Sequence, residues 1–455
     1  MTERDFKLLF LAFACEPGRG SEPGVGWGFV DEASRRREVW LITHAHHRHA
    51  IDTYLETRHK QHRINVAYVR LNGLKWLWKS HFGMNLYYYF WQFKAAAVGR
   101  KLHRDVVFDI VQHVSFTRYW MQSAGPFIGG KFVFGPVGGG DTWPRSFHDE
   151  LTLPERVREK LWAAVRWVME RDPLLHMTLR RTQYAIGSGH HGARQLRRLG
   201  LKNVDMISAV APTHELPPVQ EGPLEGDVFR FVSIGRLPRW KGVHLGIEAF
   251  AKAFGPQSSA SHRRVEYIII GDGDDLRRLE QLADNLGVAD RVKFTGDLPY
   301  SECISHLLPA GALVHPAMRD SAGLVFEALS LGVPVLCTDV GTPALLATER
   351  CGQIVSVEDG APAVIQELAN TMLQWTANLT DYRALRLGAA QRAAEMSRTR
   401  RGDVMDAIYD RVLGRTATPA DAEDSSGSGA DQGSFEPAWT ALGPAASAQA
   451  LNKSV

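Results

Sequence analysis

The sequence predicts an α/β protein built on two doubly wound parallel sheets. Short, continuously apolar runs alternate with helical stretches along the chain, a pattern typical of strands buried on both faces. The pattern stops at a Pro-, Gly- and Glu-rich segment, residues 213–226, and then restarts. A chain of 455 residues is also longer than one hydrophobic core usually organises. We therefore expect two lobes.

The expected strands are apolar runs that end in polar or glycine residues. Before the break they are residues 8–14, 38–43, 64–70, 110–113, 131–134, 184–187 and 204–208. After it they are residues 229–234, 266–270, 292–294, 312–315, 335–338 and 353–355. Helices are expected between them, among others at 245–254, 276–287 and 324–331, and a last one at 398–413. Beyond it the chain is acidic, lacks an apolar period and is predicted to be disordered.

The composition excludes several classes of protein. Lys and Arg total 53 and Asp and Glu 50, whereas a dedicated nucleic-acid binder usually carries a larger basic excess. The run at 8–14 is too short for a secretory signal, and no apolar run reaches the roughly 18 residues of a membrane-spanning helix. We expect a cytoplasmic protein with free thiols at its four cysteines, Cys15, Cys303, Cys337 and Cys351.

A basic turn follows the first strand after the break. It reads Ser-Ile-Gly-Arg-Leu-Pro-Arg-Trp-Lys-Gly from Ser233, with the strand ending at Gly235 and a helix beginning beyond Gly242. Arg236 and Lys241 project beside that helix N-terminus, where cations and free N–H groups together bind a diphosphate. A solvated basic loop is the alternative.

A polar loop precedes a second helix after the break. From His315 it reads His-Pro-Ala-Met-Arg-Asp-Ser-Ala-Gly-Leu-Val-Phe-Glu, which places Glu327 in the first turns of that helix. A carboxylate there can accept hydrogen bonds from both hydroxyls of a ribose. The backbone N–H groups of Ser321, Gly323 and Leu324 would face an anion. The alternative role of Glu327 is to stabilise the helix dipole.

Together these segments resemble the C-terminal lobe of retaining, nucleotide-sugar-dependent glycosyltransferases of family four, the glycosyl transferases group 1. The resemblance covers about residues 226–415 and includes the segments 235–242, 269–273, 294–296 and 332–341. It implies the GT-B fold, in which two Rossmann-like lobes face a central cleft. It also implies an acceptor-binding lobe at 1–222, a donor lobe at 223–397 and a helix at 398–415 that crosses back. The disordered acidic tail predicted from composition then covers 416–455.

Carried over by position, the resemblance assigns a donor site for a UDP or GDP sugar. Two cations would hold the diphosphate, a carboxylate the ribose, and the backbone of residues 296–298 the base. The donor-binding set is Gly235, Arg236, Lys241, Gly296, Asp297, Leu298, Asp320, Ser321, Gly323, Leu324 and Glu327. One position departs from the family: eight residues before Glu327 it usually has a Glu, where this chain has Arg319, and Asp320 can supply the carboxylate instead.

The N-terminal half resembles a bacterial exopolysaccharide-type subgroup of the same family in its segments 14–27 and 135–141. The first is a glycine-rich turn that lets backbone approach an acceptor or phosphate, unless its glycines only turn the chain. Its candidate residues are Gly18, Gly20, Glu22, Gly24 and Gly26. His113 ends a strand where the family often has a polar residue beside the donor sugar; the alternative is a satisfied strand-end histidine.

Two further motifs carry weaker hypotheses. Residues 187–192 fit the GxGxxG pattern of a dinucleotide site, but no acidic residue follows at the required distance. His44, His46, His47 and His49 share one loop, without the defined spacing of a metal site.

The segments 76–101 and 150–202 are basic and bear aromatic residues, which suits an anionic membrane surface. The alternative is that the aromatic residues belong to the core. A contact with the inner face of the cell membrane would bring the enzyme to a polyprenyl-diphosphate-linked or other glycan acceptor.

The sequence thus predicts a metal-independent, retaining glycosyltransferase of bacterial polysaccharide biosynthesis that needs no cofactor. The predicted catalytic set is His113, Arg236, Lys241 and Glu327. The alternatives are a non-catalytic scaffold, which Arg319 favours, a nucleotide-sugar epimerase, or an NAD-dependent enzyme at residues 187–192.

Overall fold

The computed structural model describes residues 6–58, 63–74, 76–77, 80–209, 228–258, 264–319 and 323–415. Contacts divide the chain into two units. Unit 1 holds the described residues of Met1–Gly140, Leu161–His214 and Met396–Val455, and unit 2 those of Asp141–Lys160 and Glu215–Glu395. Residues 141–160, which the division from sequence places in the N-terminal lobe, therefore group with unit 2. The expected interlobe segment 213–226 and the tail at 416–455 lie outside the described residues.

Unit 1 contains a parallel sheet of seven described strands in the order β3-β2-β1-β4-β5-β6-β7. The strands are β1 (Leu8–Ala12), β2 (Val39–His44), β3 (Ile64–Val69), β4 (Ile110–Ser115), β5 (Lys131–Val137), β6 (Thr182–Gly187) and β7 (Val204–Met206). The strand order reverses between β1 and β4, whose register pairs Leu8 with Ile110. Ligands of doubly wound sheets bind outside the carboxyl ends of the strands at such a reversal.

The helices of the N-terminal half begin and end at residues suited to those positions. They are α1 (Ser21–Ser34), α2 (Arg48–Arg58), α3 (His81–Val106), α4 (Leu153–Met169), α5 (Pro173–Arg180) and α6 (His190–Arg198). Ser80 caps α3 by accepting a hydrogen bond from the Gly83 backbone at 3.0 Å. Asp172 caps α5 in the same way, with Pro173 at the first helical position.

Unit 2 contains a parallel sheet of six described strands in the order β10-β9-β8-β11-β12-β13. They are β8 (Val228–Ile234), β9 (Arg264–Ile270), β10 (Val292–Gly296), β11 (Ala312–His315), β12 (Val335–Thr338) and β13 (Gly352–Val355). The helices are α7 (Val243–Phe254), α8 (Leu276–Asn285), α9 (Tyr300–Leu307), α10 (Gly323–Ser330), α11 (Pro343–Leu346), α12 (Gly360–Ala377) and α13 (Leu379–Glu395). The order reverses between β8 and β11, which places the functional edge after these two strands.

The last described helix, α14 (Arg398–Leu413), belongs to unit 1. The Arg36 guanidinium on α1 donates to Asp403 at 2.8 Å and to Asp406 at 3.0 Å. Tyr409 of α14 donates to Gln112 in β4. These polar contacts lie beside buried apolar packing and hold α14 against α1 and the sheet.

The predicted fold class is confirmed, because each strand predicted from an apolar run is present and all strand pairs are parallel. The structure differs from the prediction in where some strands end. The first strand ends at Ala12 rather than residue 14, since Phe13 and the residues after it already form the turn that leads to α1. All four cysteines are free.

Candidate functional site

Two glycine turns lie side by side at the carboxyl edge of the unit 2 sheet. Gly235 after β8 has φ +129° and Gly271 after β9 has φ +134°. A β-carbon added at Gly271 would lie 2.0 Å from the Gly235 carbonyl oxygen, so this close approach requires glycine. A β-carbon at Gly235 would meet no atom within 4 Å. The Gly235 backbone is therefore open to a ligand.

The two predicted diphosphate cations border this open backbone. Arg236 is exposed and donates no hydrogen bond to any residue that the structure describes. Lys241 lies in a single turn of 3₁₀-helix before α7, with its Nζ 5.2 Å from the Trp240 ring centroid. Both residues line one small cleft with the ends of β8 and β11. Helix α7 begins there without a side-chain cap, so its first N–H groups also face this edge.

Glu327 lies in the second turn of α10 and is mostly buried. Burial raises its pKa to about 7, and a hydrogen bond from the Tyr300 hydroxyl acts in the opposite direction. The Tyr300 contact was not anticipated from the sequence, because no local pattern reports which side chain meets Glu327. A mostly buried carboxylate with this donor beside it can accept the hydroxyls of a ribose.

The residues predicted to meet the base lie in the same neighbourhood. Gly296 ends β10 with φ +71°, and its carbonyl accepts a hydrogen bond of 2.8 Å from the Gly271 backbone. The Leu298 carbonyl accepts from the Cys303 thiol at 3.6 Å. The charges of Asp297 and Glu327 both contribute to raising the pKa of Cys303, after burial. The structure thus brings residues 296–298 and Glu327 together.

The divergent Arg319 is paired within unit 2. Its guanidinium donates to Glu159 at 2.9 Å and lines a cavity of about 360 Å³ together with Trp143 and Trp240. The Nε atoms of Arg239 and Arg319 are buried and have no hydrogen-bond partner among the described residues. Asp320 and Ser321 lie outside the described residues, whereas Gly323 and Leu324 form the start of α10.

The glycine-rich turn of unit 1 lies at the reversal of its sheet. Gly18 has φ +70°, and added β-carbons at Gly18 and Gly20 would meet nothing within 4 Å. Gly26 differs, since a β-carbon there would lie 2.2 Å from the Ala14 carbonyl oxygen; Gly24 is buried in the same helix. The first two glycines leave open space for a ligand, while Gly26 permits close packing of α1.

Glu22 connects the two sides of this reversal. Its carboxylate accepts hydrogen bonds from the Thr117 backbone at 3.1 Å and from the Thr117 hydroxyl at 2.7 Å. The segment after β4 is thereby held against the first turn of α1.

His113 is buried in β4 with both ring nitrogens engaged. Its Nε2 lies 2.9 Å from the Phe116 carbonyl, which requires a proton on Nε2, and its Nδ1 lies 3.1 Å from the Ser123 hydroxyl. Burial lowers its pKa to about 4, so the ring is neutral near pH 7. In this arrangement neither nitrogen is open to a sugar, and the catalytic role of His113 stays a prediction.

The weaker motifs have structural explanations. In the 187–192 turn, a β-carbon at Gly187 would lie 2.5 Å from the Ala193 backbone nitrogen, and one at Gly192 would lie 2.6 Å from the Val137 carbonyl oxygen. These glycines allow α6 to pack closely on the sheet. In the histidine cluster, His47 contacts Glu16 at 2.7 Å and His44 contacts a tyrosine hydroxyl at 3.0 Å. No group of three or more metal-ligating side chains is found in the described part of the chain.

Helix α3 divides the aromatic residues of the segment 76–101 between two environments. Tyr87, Tyr88 and Trp91 are in the core, whereas Phe90 and Phe93 are exposed. No helix among the described residues is long and apolar enough to cross a membrane.

Comparison with known proteins finds similar proteins among glycosyltransferases. Residues 219–377 match the family model described as Glycosyl transferases group 1. Over 335 residues the chain is 27% identical to the 2-deoxystreptamine glucosyltransferase of Streptomyces kanamyceticus. The aligned residues cover 69% of this chain and 80% of that protein. It is 28% identical over 162 residues to the lipopolysaccharide core biosynthesis glycosyltransferase LpsD of Rhizobium meliloti, covering 35% of this chain and 44% of that relative.

The fold is also that of solved glycosyltransferases. The structure of HepE from Anabaena in complex with UDP and glucose matches 89% of this chain and 100% of its own, with a TM-score of 0.54 and 17% identity. The fold is therefore GT-B, and residues 219–377 are similar to the glycosyl transferases group 1.

Proposed function

We propose that this protein transfers a sugar from a UDP or GDP sugar to a hydroxyl of a glycan or lipid-linked glycan in bacterial polysaccharide biosynthesis. The observation that carries the proposal is the open edge of the unit 2 sheet. There Arg236 and Lys241 border the bare Gly235 backbone, and Glu327 lies with residues 296–298. The likeness to a lipopolysaccharide core glycosyltransferase and to the structure of HepE in complex with UDP and glucose supports the proposal.

The proposed chemistry follows from the charge that develops on the leaving group. As the bond to the sugar breaks, negative charge accumulates on the diphosphate, where Arg236, Lys241 and the start of α7 stabilise it. These groups take the place of a metal ion, so we propose metal-independent transfer without a cofactor. The family resemblance implies retention of the anomeric configuration, with no side-chain nucleophile. The enzyme would act in the cytoplasm at the inner face of the membrane.

A thermal-shift titration with UDP, GDP, their sugars and NAD, with and without magnesium, tests the proposal. We expect stabilisation by one nucleoside diphosphate, independent of magnesium and reduced in Glu327→Ala. A folded sample that responds to no nucleotide would contradict the donor site.

A second candidate is a non-catalytic scaffold, which the Arg319–Glu159 pair favours. A folded sample that responds to no nucleotide and shows neither transfer nor slow hydrolysis of a nucleotide sugar would favour the scaffold.

A further inference from the structure

Helix α4 has no fully buried residue along its 17 positions, and only Trp162, Val165 and Met169 among its large apolar side chains are half-buried. A helix inside a folded protein normally buries one apolar stripe, because that burial supplies most of its stability. We propose that α4 docks in the surface of an anionic lipid bilayer. The inference deepens the proposed function, on which it rests, by naming the surface through which the enzyme would reach a lipid-linked acceptor.

The outward face of α4 carries a continuous apolar stripe. Leu153, Val157, Leu161 and Val168 are 75%, 59%, 63% and 59% exposed. Steps of three, four or seven residues place side chains on one face of a helix, and the exposed Ala164 fills the remaining position of the stripe. An exposed stripe of large aliphatic residues is unfavourable in water and favours transfer to an apolar phase.

The acidic residues of α4 and its end point towards the protein. Glu155 accepts from the Thr152 backbone and hydroxyl, both at 2.8 Å. Glu159 accepts from Arg319, and Glu170, one residue past the helix, accepts from a tyrosine and an arginine of other segments. No carboxylate of α4 is therefore left on the outward face.

Basic residues border the stripe instead. Arg156, Arg158 and Lys160 are exposed, and Arg158 and Lys160 donate no hydrogen bond to a residue in the described ranges. At 100° per residue, Lys160 lies on one side of Val157 and Arg158 on the other. Cations that flank an apolar stripe match the charge of anionic lipid headgroups.

Aromatic residues at the end of α4 and on α3 extend the surface. Trp167 is exposed, and the Arg171 guanidinium carbon lies 3.7 Å from its ring centroid. Tryptophan and arginine are suited to the headgroup level because each combines an apolar body with a polar tip. Tyr89 on α3 lies near Asp172, which directly precedes α5 and whose charge contributes, after burial, to raising the pKa of Tyr89. The exposed Phe90 and Phe93 follow on the same helix.

The charges favour a bilayer over a second copy of the chain. A two-fold dimer through α4 would bring the same surface of each copy together, so the Arg158 and Lys160 residues of both copies would converge. That arrangement places like charges next to each other, whereas anionic lipids neutralise them.

Co-sedimentation with vesicles tests the inference. The probes are phosphatidylcholine vesicles with and without phosphatidylglycerol. We expect the native protein to bind the anionic vesicles, and Val157→Asp with Leu161→Asp to weaken binding by about tenfold or more per side chain. Arg158→Glu with Lys160→Glu should abolish the preference for anionic lipid. Leu387→Asp, at an equally exposed leucine on α13, is the control and should bind as the native protein does.

Two outcomes would overturn the inference. One is vesicle binding that the α4 variants leave unchanged. The other is a native dimer that Val157→Asp with Leu161→Asp converts to a monomer, in the absence of any vesicle binding. UDP and GDP titrations of the same variants keep the proposed function separate. Loss of vesicle binding with intact nucleotide binding concerns α4 alone, whereas vesicle binding without any nucleotide response contradicts the donor site and not the docking surface.

Discussion

The guanidinium of Arg319 donates a hydrogen bond of 2.9 Å to the carboxylate of Glu159, 160 residues earlier in the chain. The resembled family usually has a glutamate at the position of Arg319. Both side chains are partly exposed, at 34% and 18%, so the pair contributes at most about 1 kcal/mol to stability. Its importance therefore concerns the site rather than the fold.

Exchanging the two charges separates stability from activity. Arg319→Glu or Glu159→Arg alone places like charges together and should lower the melting temperature slightly, and the double exchange should restore it. If the residue at 319 contacts the donor sugar, turnover stays changed in the restored double variant. Native turnover in that variant would exclude Arg319 from substrate binding. Thermal melts and initial rates measure the two effects.

Glu327 should make nucleotide binding pH-dependent. Its carboxyl has a pKa of about 7, and only the ionised form accepts hydrogen bonds from both ribose hydroxyls. Affinity is expected to fall by up to about tenfold per pH unit below pH 7. In Glu327→Gln, calorimetric titrations between pH 6 and 8 should no longer show this pH dependence of the affinity. An unchanged pH profile would contradict the ribose assignment.

The Glu327 carboxyl also makes the stability of the fold pH-dependent, and this dependence has the opposite sign to that of the nucleotide affinity. Because the folded-state pKa lies above the ordinary 4.5, the native state binds more protons than the unfolded state between these values. Stability therefore falls as the pH rises from about 4.5 to 7, and Glu327→Gln should reduce that fall. Thermal melts across this window test the sign.

Removing either diphosphate cation should weaken nucleotide binding. Hydrogen bonds to charged groups contribute about 1.5–3 kcal/mol, so Arg236→Ala and Lys241→Ala should each weaken UDP or GDP binding by roughly tenfold to a hundredfold. Arg277→Ala is the control, because Arg277 is an exposed arginine on α8 of the same unit. If calorimetry gives the same affinity for all three variants as for the native protein, the assignment of Arg236 and Lys241 to the diphosphate is wrong.

Two glycines of the unit 1 turn should respond differently to alanine. Gly26→Ala places a β-carbon 2.2 Å from the Ala14 carbonyl, and such overpacking costs about 1–3 kcal/mol. Gly20 has φ −77° and open space, so Gly20→Ala should leave the melting temperature nearly unchanged. If the open part of this turn meets a ligand, Gly20→Ala lowers transfer instead. Equal melting temperatures of the two variants would contradict the packing role of Gly26.

His113 can be tested against its hydrogen-bond partner. His113→Ala should lower turnover more than nucleotide affinity if the ring contacts the reacting sugar. Ser123→Ala removes the partner of Nδ1 together with a hydrogen bond from the Gly125 backbone, and should cost about 1 kcal/mol of stability per lost bond with turnover little changed. A His113→Ala protein that is less stable but turns over normally would leave the histidine with a structural role alone.

Most of the fold and part of the site could be predicted from sequence because both depend on local patterns. Apolar runs mark strands, so residues 312–315 and 335–338 are strands in the structure as predicted. Arg236 and Lys241 could be placed beside the edge of the sheet because they follow a strand end at Gly235, and their diphosphate role stays a prediction. Asp320 and Ser321 stay predictions, as they lie outside the described residues.

The sequence by itself determined the order of strands and helices, the two-lobed α/β class and the positions of Arg236, Lys241 and Glu327. These follow from side-chain period and from turns a few residues long. Only the tertiary structure decided that Arg319 pairs with Glu159, that Tyr300 donates to Glu327, and that α4 turns its apolar stripe outward. Each of these depends on which distant segments meet in space, and an amphipathic pattern is the same whether its apolar face is buried in the protein or left for a partner.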